Sequence, residues 1–355
     1  MKILIIGASN LGPYHFVRYK EAAKLIPGLI YVRIFLKEFY RPWSNDIKDF
    51  PLRIINKTKK KSMISIFKEE NPKVLITIGY SGRAILIASI WAKIRKIPVI
   101  LQADSTYYDH KRNRIKEFIK SLIVRNLYTA AFSAGKRSGD YLHSLGIPRK
   151  RIWYGLDVVD NRYFEKSLKI YKLPKTFPKR YFLLTSRLSS EKNIERLIKA
   201  FEIYRNKKGS WGLIIAGDGP LRNILQKKVS KEISNALHFT GWLNYTSLPS
   251  LYNSASCFIL PSISETWGLT VNEAMAARLP VLVSEKCGCV PELCQNGING
   301  YSFDPYNVEE IVQKMLEISS NEKKRRAMGN ASKKIIKAFT PENWAKTLLD
   351  IIKNL

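Results

Sequence analysis

The sequence predicts an α/β protein made of two doubly wound domains that face each other across a cleft. Short apolar runs of strand length alternate with stretches of helical periodicity, and the whole pattern occurs twice along the 355 residues. One compact core rarely holds a chain of this length, so two domains are expected. Hydrophobic residues form 45% of the chain and charged residues 25%, which is the composition of a folded globular protein.

Each half of the chain contains five apolar runs of strand length. They cover residues 3–6, 28–35, 74–78, 98–102 and 130–133 in the first half and 181–186, 211–216, 237–240, 257–260 and 280–283 in the second. Helical periodicity covers residues 14–24, 62–70, 83–93, 112–126, 195–204, 220–229, 248–253 and 270–277. This alternation is typical of parallel sheets with helices on both faces.

The domain boundaries are predicted from breaks in the periodicity. Residues 1–165 form the first domain, residues 166–180 a linker with two prolines, and residues 181–338 the second domain. Thr340 and Pro341 are a cap and a first-turn proline for a terminal helix over 339–355, which we expect to pack back toward the first domain. Ligands bind at the carboxyl ends of strands in such sheets, so function is expected between the domains.

The net charge of +31 is unevenly distributed. Residues 1–170 contain 33 lysines and arginines against 13 aspartates and glutamates, whereas residues 171–355 contain 27 against 16. Such a field attracts nucleic acid, an anionic membrane surface or phosphorylated substrates, and the alternative is a lysine-rich surface that only aids solubility. No nucleic-acid-binding module is visible in the sequence, so nucleic acid is not an expected partner.

Two basic segments of the first half, residues 56–61 and 110–125, are candidates for a membrane contact. The second contains an apolar stripe at helical spacing, made of Ile115, Phe118, Ile119, Leu122 and Ile123. A stripe flanked by cations suits a helix that lies on an anionic membrane. An ordinary helix packed against the core has the same pattern and remains the alternative.

No run reaches the roughly 18 apolar residues that a membrane crossing needs, and the apolar run at residues 3–6 is too short for a signal-peptide core. Three of the four cysteines, Cys287, Cys289 and Cys294, lie within eight residues of one another. They do not form a secreted disulfide framework, and their spacing matches no common zinc pattern. We therefore expect a cytoplasmic protein without a metal site.

The segment that begins at Pro261 carries the strongest indication of chemistry. Glu265 lies on a loop after the apolar run 257–260, and Glu273 lies in an early turn of the helix that follows Gly268. A glycine before a helix lets backbone N–H groups approach an anion, which the positive end of the helix favours. Carboxylates beside an anion site suit a ligand with hydroxyls and phosphate, such as a nucleotide sugar, although the helix dipole alone also favours an early glutamate.

The spacing of this segment and of those around it resembles the donor domain of the family 4 retaining glycosyltransferases, which have the GT-B fold of two Rossmann-like domains. The resemblance covers about residues 150–355. It is carried by the Glu265-x7-Glu273 spacing and by residues 154–161, 186–193, 216–220, 280–284, 288–292 and 297–305.

The resemblance implies transfer of a hexosyl group from a nucleotide diphosphate sugar to a glycan or lipid-linked acceptor, in the synthesis of a cell-envelope or surface polysaccharide. Arg187 and Lys192 match the Arg-Leu-x-x-x-Lys signature and would stabilise the charge on the departing diphosphate. Two cations and a helix N-terminus need no metal, so no cofactor is expected beside the nucleotide sugar. The alternatives are a structural role for Arg187 and a plain surface position for Lys192.

The same matching assigns the donor-binding residues. Glu273 would hold the ribose hydroxyls, and Glu265 would hold the transferred sugar. The backbone that helps Glu265 belongs to Trp267, Gly268, Leu269 and Thr270, and the second glycine turn is centred on Gly217. Trp242 lies where the family contacts the base, and a core position is its alternative.

The acceptor side is predicted from the first half. Asp104 stands where many relatives have a catalytic histidine, so it would steady the reacting carbon or orient the acceptor, with a helix N-cap as the alternative. Gly12 ends a glycine turn expected to face the acceptor, since residues 7–12 lack the dinucleotide-binding spacing. Arg278 stands where relatives usually have glycine, a strained choice if φ is positive there.

Three other functions fit parts of the sequence. A nucleotide-sugar epimerase or a phosphorylase can share the fold without transferring a sugar from a nucleotide to an acceptor. A basic protein that binds membrane or nucleic acid without catalysis would explain the charge alone.

Overall fold

The structure is a computed structural model that describes residues 1–7, 11–34, 50–56, 62–110, 112–166 and 172–355. The predictions for residues 8–10, 35, 57–61, 111 and 167–171 lie outside the described residues. The chain divides into two units. The first comprises Met1–Tyr107, Lys111–Val159 and Phe339–Leu355, and the second comprises Tyr108–His110 and Asp160–Ala338.

The first unit is built on a parallel sheet with the strand order β3-β2-β1-β4-β5-β6-β7. Its strands are β1 (Ile3–Gly7), β2 (Leu29–Arg33), β3 (Arg53–Asn56), β4 (Val74–Ile78), β5 (Val99–Ala103), β6 (Ala130–Ser133) and β7 (Ile152–Tyr154). The helices between them are α1 (Pro13–Leu25), α2 (Met63–Glu70), α3 (Arg83–Ile94), α4 (Arg114–Leu127) and α5 (Lys136–Ser144).

Helices cover both faces of this sheet, which is why its central strands are apolar at every position. Leu4 and Ile6 of β1 point into a core shared with α2, α3, α4 and α5. Ile3 and Ile5 point into the opposite core, which contains residues of α1 and of the C-terminal segment. All four side chains have 0% exposure.

The second unit is built on a parallel sheet with the strand order β10-β9-β8-β11-β12-β13. Its strands are β8 (Tyr181–Thr185), β9 (Gly212–Ala216), β10 (Leu237–Gly241), β11 (Cys257–Leu260), β12 (Val281–Ser284) and β13 (Gly300–Phe303). Its helices are α6 (Asn161–Glu165), α7 (Ile194–Asn206), α8 (Arg222–Lys227), α9 (Leu248–Ser254), α10 (Leu269–Ala276), α11 (Val290–Leu293), α12 (Val308–Ser320) and α13 (Glu322–Ile336). The direction of winding reverses between β8 and β11, where loops diverge and a ligand can enter.

The predicted fold class of two doubly wound, Rossmann-like domains is confirmed. The sequence missed strands β3, β7 and β13 and helices α5, α6, α11, α12 and α13. All three missed strands lie at the edges of their sheets. Strand β7 has only three residues, and polar residues or glycine interrupt the apolar run in β3 and β13, so none of the three shows the unbroken apolar run that marks a central strand.

Arg278 has a φ of +60°, so the backbone at this position adopts the conformation that glycine favours. Its guanidinium lies 3.5 Å from a carboxylate oxygen of Glu165. The strain that the sequence suggested for Arg278 is therefore present, and the ion pair accompanies it.

Among the described residues, no helix combines the length and the apolar character that crossing a bilayer requires.

The last helix, α14 (Pro341–Lys353), is part of the first unit and packs on α1. The Thr340 hydroxyl accepts a hydrogen bond from Asn343 N at 3.2 Å and so caps its first turn. Trp344 is 1% exposed, and its ring centroid lies 5.6 Å from those of Tyr19 and Phe132. The C-terminal segment thus completes one of the two cores of the first unit.

We expect Trp344→Ala to destabilise the protein by about 3–5 kcal/mol, because the cavity left between α14, α1 and β6 cannot close completely. Urea unfolding followed by circular dichroism measures the loss. Lys346→Ala on the exposed side of α14 is the matched control and should change stability by less than about 0.5 kcal/mol. Equal stability of the two variants would show that α14 contributes little to this core.

Candidate functional site

The predicted donor residues lie on loops at the carboxyl edge of the second sheet and in helix α10, which contains Leu269, Thr270 and Glu273. Arg187 follows β8 by two residues, and Glu265 follows β11 by five. Because β8 and β11 flank the reversal of winding, these two loops border the position where open α/β sheets bind ligands. The sequence prediction and the strand order therefore indicate the same place.

The loops after β8 and β9 are held together by backbone hydrogen bonds. Leu188 N donates to Asp218 O, and Leu221 N donates to Leu188 O, each at 3.0 Å. Between them, Gly217 has a φ of +131°, and a Cβ there would lie 1.9 Å from the carbonyl oxygen of Ser186. Only glycine permits this approach, so Gly217 fixes the path of the loop that carries Arg187.

Asn193 connects the loop after β8 with two other loops. It has a φ of +56° at the start of α7 and is 5% exposed. Its Nδ2 donates to Pro261 O at 3.0 Å and to Pro305 O at 2.8 Å. Asn193 has no role among the residues predicted from the sequence. Its place directly after Lys192 and before a helix was the available signal, since asparagine tolerates the left-handed conformation.

Lys192 and Glu265 form an ion pair through Nζ and Oε2. Their side chains are 16% and 18% exposed, so the pair is shielded from water on most sides. It joins the loop after β8 to the loop after β11. Lys192 is thus not a plain surface lysine, and two residues that the sequence placed in one site are in contact. Arg187 lies on the same loop and is exposed.

The Glu265 segment is fixed to the loop after β12. Gly288 N donates to Glu265 O at 3.0 Å, and Cys289 N donates to Trp267 O at 3.2 Å. A Cβ at Gly288 would lie 1.8 Å from Thr266 O. The glycine-containing segment 288–292 therefore sets the position of the carboxylate loop.

The helix after this loop begins as predicted at a glycine. Gly268 has a φ of +114° and precedes α10. Trp267 is 2% exposed, and its Nε1 donates to Asn272 Oδ1 at 2.9 Å. The Trp267 side chain therefore belongs to the core. The N–H groups of Gly268, Leu269 and Thr270 open the helix and have no partner within it, and a helix start of this kind can bind an anion.

Glu273 lies in a buried polar network beneath the loops. It is 1% exposed, and its Oε2 accepts a hydrogen bond from the Tyr252 hydroxyl at 2.6 Å. The Tyr252 hydroxyl is also hydrogen-bonded to Thr185 at the end of β8. Burial, and then the charge of Glu273, raise the pKa of the Tyr245 hydroxyl well above its ordinary value. Sequence reasoning missed these partners, because single hydroxyls in apolar segments have no pattern.

Trp242 follows β10 and is 49% exposed, so the alternative of a core position is wrong. Gly241 before it has a φ of +72°, which turns the chain at the end of the strand. Contact between Trp242 and a base stays a prediction.

The two acceptor-side residues belong to the first unit. Asp104 follows β5 directly and is partly exposed. The cap of the next helix, α4, is Asn113, whose Oδ1 accepts from Ile115 N at 3.0 Å. The alternative role of Asp104 as a helix N-cap is therefore wrong. Gly12 is the cap residue of α1, and its N–H donates to His15 Nδ1 at 3.3 Å.

The cysteines near the site are free and buried. Burial raises the pKa of the Cys294 thiol to about 12 and that of Cys289 well above its usual value, so both are neutral thiols at pH 7. Within the part of the chain that the structure describes, no three histidine, cysteine or acidic side chains are arranged to hold a metal ion.

Comparison with protein families gives one match, over residues 166–335, to the model described as "Glycosyl transferases group 1". This range contains every predicted donor residue. Over 167 residues the chain is 31% identical to the alpha-monoglucosyldiacylglycerol synthase of Acholeplasma laidlawii, and the match covers 46% of this chain and 41% of that protein. Over 300 residues it is 26% identical to the GDP-mannose-dependent alpha-mannosyltransferase of Corynebacterium glutamicum, and the match covers 81% of this chain and 69% of that protein.

Among solved structures, Anabaena HepE in complex with UDP matches with a TM-score of 0.80 and 14% identity over 100% of both chains. This likeness shows that the fold is shared. The chain spans less than half the length of several curated relatives, the Acholeplasma synthase among them.

We expect Gly217→Ala to cost about 2–4 kcal/mol, because the methyl group meets a carbonyl oxygen in a backbone conformation that alanine avoids. Gly297→Ala is the matched control. Its φ of +77° is also positive, but no atom lies within 4 Å of the added Cβ, so only about 1 kcal/mol should be lost. Urea denaturation of both variants measures the difference, and similar losses would contradict the close approach at Gly217.

We expect Tyr252→Phe to lower stability by about 1–3 kcal/mol, because a buried carboxylate loses a hydrogen-bond donor. Tyr306→Phe removes a hydroxyl from a tyrosine that is 52% exposed and should have little effect. Thermal unfolding at neutral pH compares the two, and an unchanged Tyr252→Phe variant would show that Glu273 does not depend on this bond.

Proposed function

We propose that this chain is a retaining glycosyltransferase that uses a nucleotide diphosphate sugar, since residues 166–335 match the glycosyl transferases group 1 model. This match agrees with the family resemblance of the motifs. The observation that carries the proposal is the Lys192–Glu265 ion pair at the reversal of winding of the second sheet. It places a cation and a carboxylate beside the start of α10, where a sugar diphosphate finds partners for both of its parts.

The cations act on the leaving group. When the bond between the sugar and the diphosphate breaks, negative charge grows on the phosphate oxygens. Lys192 and Arg187 lie on one loop whose path Gly217 fixes, so the backbone that carries both charges is fixed before the reaction begins. Charge placed in advance stabilises the transition state more than the ground state. These cations fulfil the role that a metal ion has elsewhere, and we propose that no metal is required.

Glu265 and Lys192 exchange partners when the donor binds. Without a donor, the carboxylate of Glu265 accepts from the ammonium of Lys192. Hydroxyls of the bound sugar then donate to Glu265, and Lys192 turns to the diphosphate. The backbone N–H groups of Gly268, Leu269 and Thr270 at the start of α10 complete the anion site. The exchange couples binding of the sugar to activation of its leaving group.

Glu273 holds the ribose hydroxyls, and Tyr252 keeps its carboxylate in place through the 2.6 Å hydrogen bond. Trp242, exposed after β10, contacts the base. Asp104 and Gly12 of the first unit contribute to the acceptor side. These roles follow the family motifs, to which the geometry of the second unit adds the partners of Glu273.

The names of the similar proteins support the choice of substrates. The Corynebacterium relative is named for GDP-mannose and for an alpha linkage, the Acholeplasma relative is named for a glucosyl diacylglycerol, and HepE was crystallised with UDP. We propose a glycan or lipid-linked acceptor and a place in cell-envelope or surface polysaccharide synthesis. We propose a cytoplasmic enzyme held on the inner, anionic face of the membrane. The four cysteines are free and buried, which suits a reducing compartment, and the net charge of +31 suits an anionic surface.

We expect Lys192→Ala to lower turnover at least about 100-fold, because a fixed charge on the leaving group is lost. The assay measures release of nucleoside diphosphate in the presence of acceptor, after thermal shifts with uridine, guanosine and adenosine diphosphates have identified the base. Lys207→Ala is the control. It removes a cation that lies 3.1 Å from Glu309 on the surface of the same unit and should leave turnover unchanged.

Four outcomes oppose the proposal. If none of the nucleoside diphosphates raised the thermal stability of the protein, the proposed donor site would be refuted. Diphosphate release without any need for an acceptor, accompanied by a free epimerised sugar, would indicate an epimerase. A product whose anomeric configuration differs from that of the donor would refute retention, and loss of turnover on chelation with EDTA would refute metal independence.

A further inference from the structure

Helix α4 presents three of the five residues of its apolar stripe to the solvent, while Leu122 and Ile123 are half-buried. Ile115, Phe118 and Ile119 are 72%, 62% and 51% exposed. Val124, on the opposite side of the helix, has 0% exposure and belongs to the core. An ordinary surface helix buries its apolar face and exposes its polar one. The outer part of the stripe in α4 therefore departs from the sequence-based alternative of an ordinary packed helix, whereas Val124 packs as that alternative expects.

A polar network on the inner side fixes this orientation. The Tyr141 hydroxyl donates to Glu117 Oε2 at 2.7 Å, Lys120 Nζ donates to Glu117 Oε1 at 2.7 Å, and Arg112 donates to the Tyr141 hydroxyl at 2.7 Å. Burial by itself raises the pKa of Glu117, but the hydrogen bonds from Lys120 and Tyr141 bring it below its ordinary value. Turning α4 by half a turn would break this network, so exposure of the stripe is built into the helix.

Helix α3 adds a second apolar stripe to the same surface. Ile87, Ile90 and Ile94 follow one another at helical spacing and are 46%, 42% and 74% exposed. The inner residues of α3 and α4 share one core on one face of the sheet, and the two helices are neighbours there. Their outer residues therefore form one surface. We name it the α3/α4 face, and its apolar members are Ile87, Ile90, Ile94, Ile115, Phe118 and Ile119.

Cations surround the α3/α4 face. The exposed cations of the two helices and of the two residues after α3 are Arg83, Lys93, Arg95, Lys96, Arg114, Lys116 and Arg125. Within the two helices, Arg83–Ile94 and Arg114–Leu127, Glu117 is the sole acidic residue. Its carboxylate is hydrogen-bonded on the inner side of α4. The surface thus combines large apolar side chains with an excess of positive charge.

We propose that the α3/α4 face binds the surface of an anionic lipid bilayer. Apolar side chains enter the boundary between headgroups and acyl chains, and the lysines and arginines bind the lipid phosphates. A second copy of the chain would bring two positive faces together, which charge repulsion opposes. The proposal gives a location to the membrane contact that is part of the proposed function, but its test does not require enzymatic activity.

The test is cosedimentation of the full chain with vesicles of phosphatidylcholine alone or with about 30% phosphatidylglycerol. We expect binding to the anionic vesicles only. The double variant Ile115→Ser/Phe118→Ser should bind at least about tenfold more weakly, since two side chains no longer enter the lipid. The control Ile224→Ser/Ile298→Ser changes two residues of the second unit that are 51% and 56% exposed and should bind as the unchanged chain does.

A second pair of variants tests the charge. Arg114→Ala/Lys116→Ala should weaken binding about tenfold or more, with each cation contributing to attraction by the phosphates. Lys199→Ala/Lys227→Ala removes the same charge from exposed positions of the second unit and should have at most a small effect. Thermal shifts with nucleoside diphosphate check that the variants keep their second unit intact, so failure of membrane binding is distinguishable from failure of the donor site.

Equal binding to neutral and anionic vesicles, or none to either, would overturn the proposal. Equal loss in the α3/α4 variants and their controls would overturn it as well, because it would show unspecific attraction by net charge. A concentration-dependent dimer that Ile115→Ser/Phe118→Ser abolishes would assign the face to a second copy of the chain instead. Sedimentation velocity without lipid measures this last outcome.

Discussion

The candidate donor site depends on how closely the backbones of neighbouring loops approach at the carboxyl edge of the second sheet. Gly217 and Gly288 allow carbonyl oxygens of adjoining loops to lie where any Cβ would clash. The buried amide of Asn193 then joins three loops by donating to Pro261 O and Pro305 O. With the backbone fixed in this way, Lys192 and Glu265 meet although 73 residues separate them. The ion pair is a consequence of the loop geometry, and its charges are positioned without help from a ligand.

Burial divides the glutamates of the site into two kinds. Glu265 forms an ion pair with Lys192 and is partly exposed. Glu273 lies in the interior and accepts a hydrogen bond from Tyr252, whose hydroxyl is also hydrogen-bonded to Thr185. A buried carboxylate is tolerable only with donors around it. A rigid carboxylate suits recognition of a fixed group such as ribose, and a carboxylate that can exchange partners suits the sugar that is transferred. The two proposed roles therefore follow from different environments of the same residue type.

In the first unit, the surface helix α4 exposes large apolar residues on its outer side. On its inner side, the network of Glu117, Lys120 and Tyr141 adds to the core contact of Val124 in holding the helix. Exposing isoleucine and phenylalanine to water costs free energy that a bound partner can return. Together with the surrounding cations, this arrangement supports the proposed lipid-binding role of the basic first half of the sequence.

The central strands, the two-domain organisation and the donor motifs were predictable from the sequence, because buried parallel strands are apolar throughout and glycine and glutamate recur at fixed spacing. The edge strands β3, β7 and β13 were not predictable in this way, since β7 has three residues and polar residues or glycine interrupt the apolar run of the other two. Nor were the partners of Glu273, because hydroxyls brought together from β8 and α9 have no common local pattern. For α4, the sequence determined that an apolar stripe exists and is flanked by cations. Only the tertiary structure decided which side faces the solvent, because hydrogen bonds from Tyr141, distant in sequence, hold Glu117 on the inside.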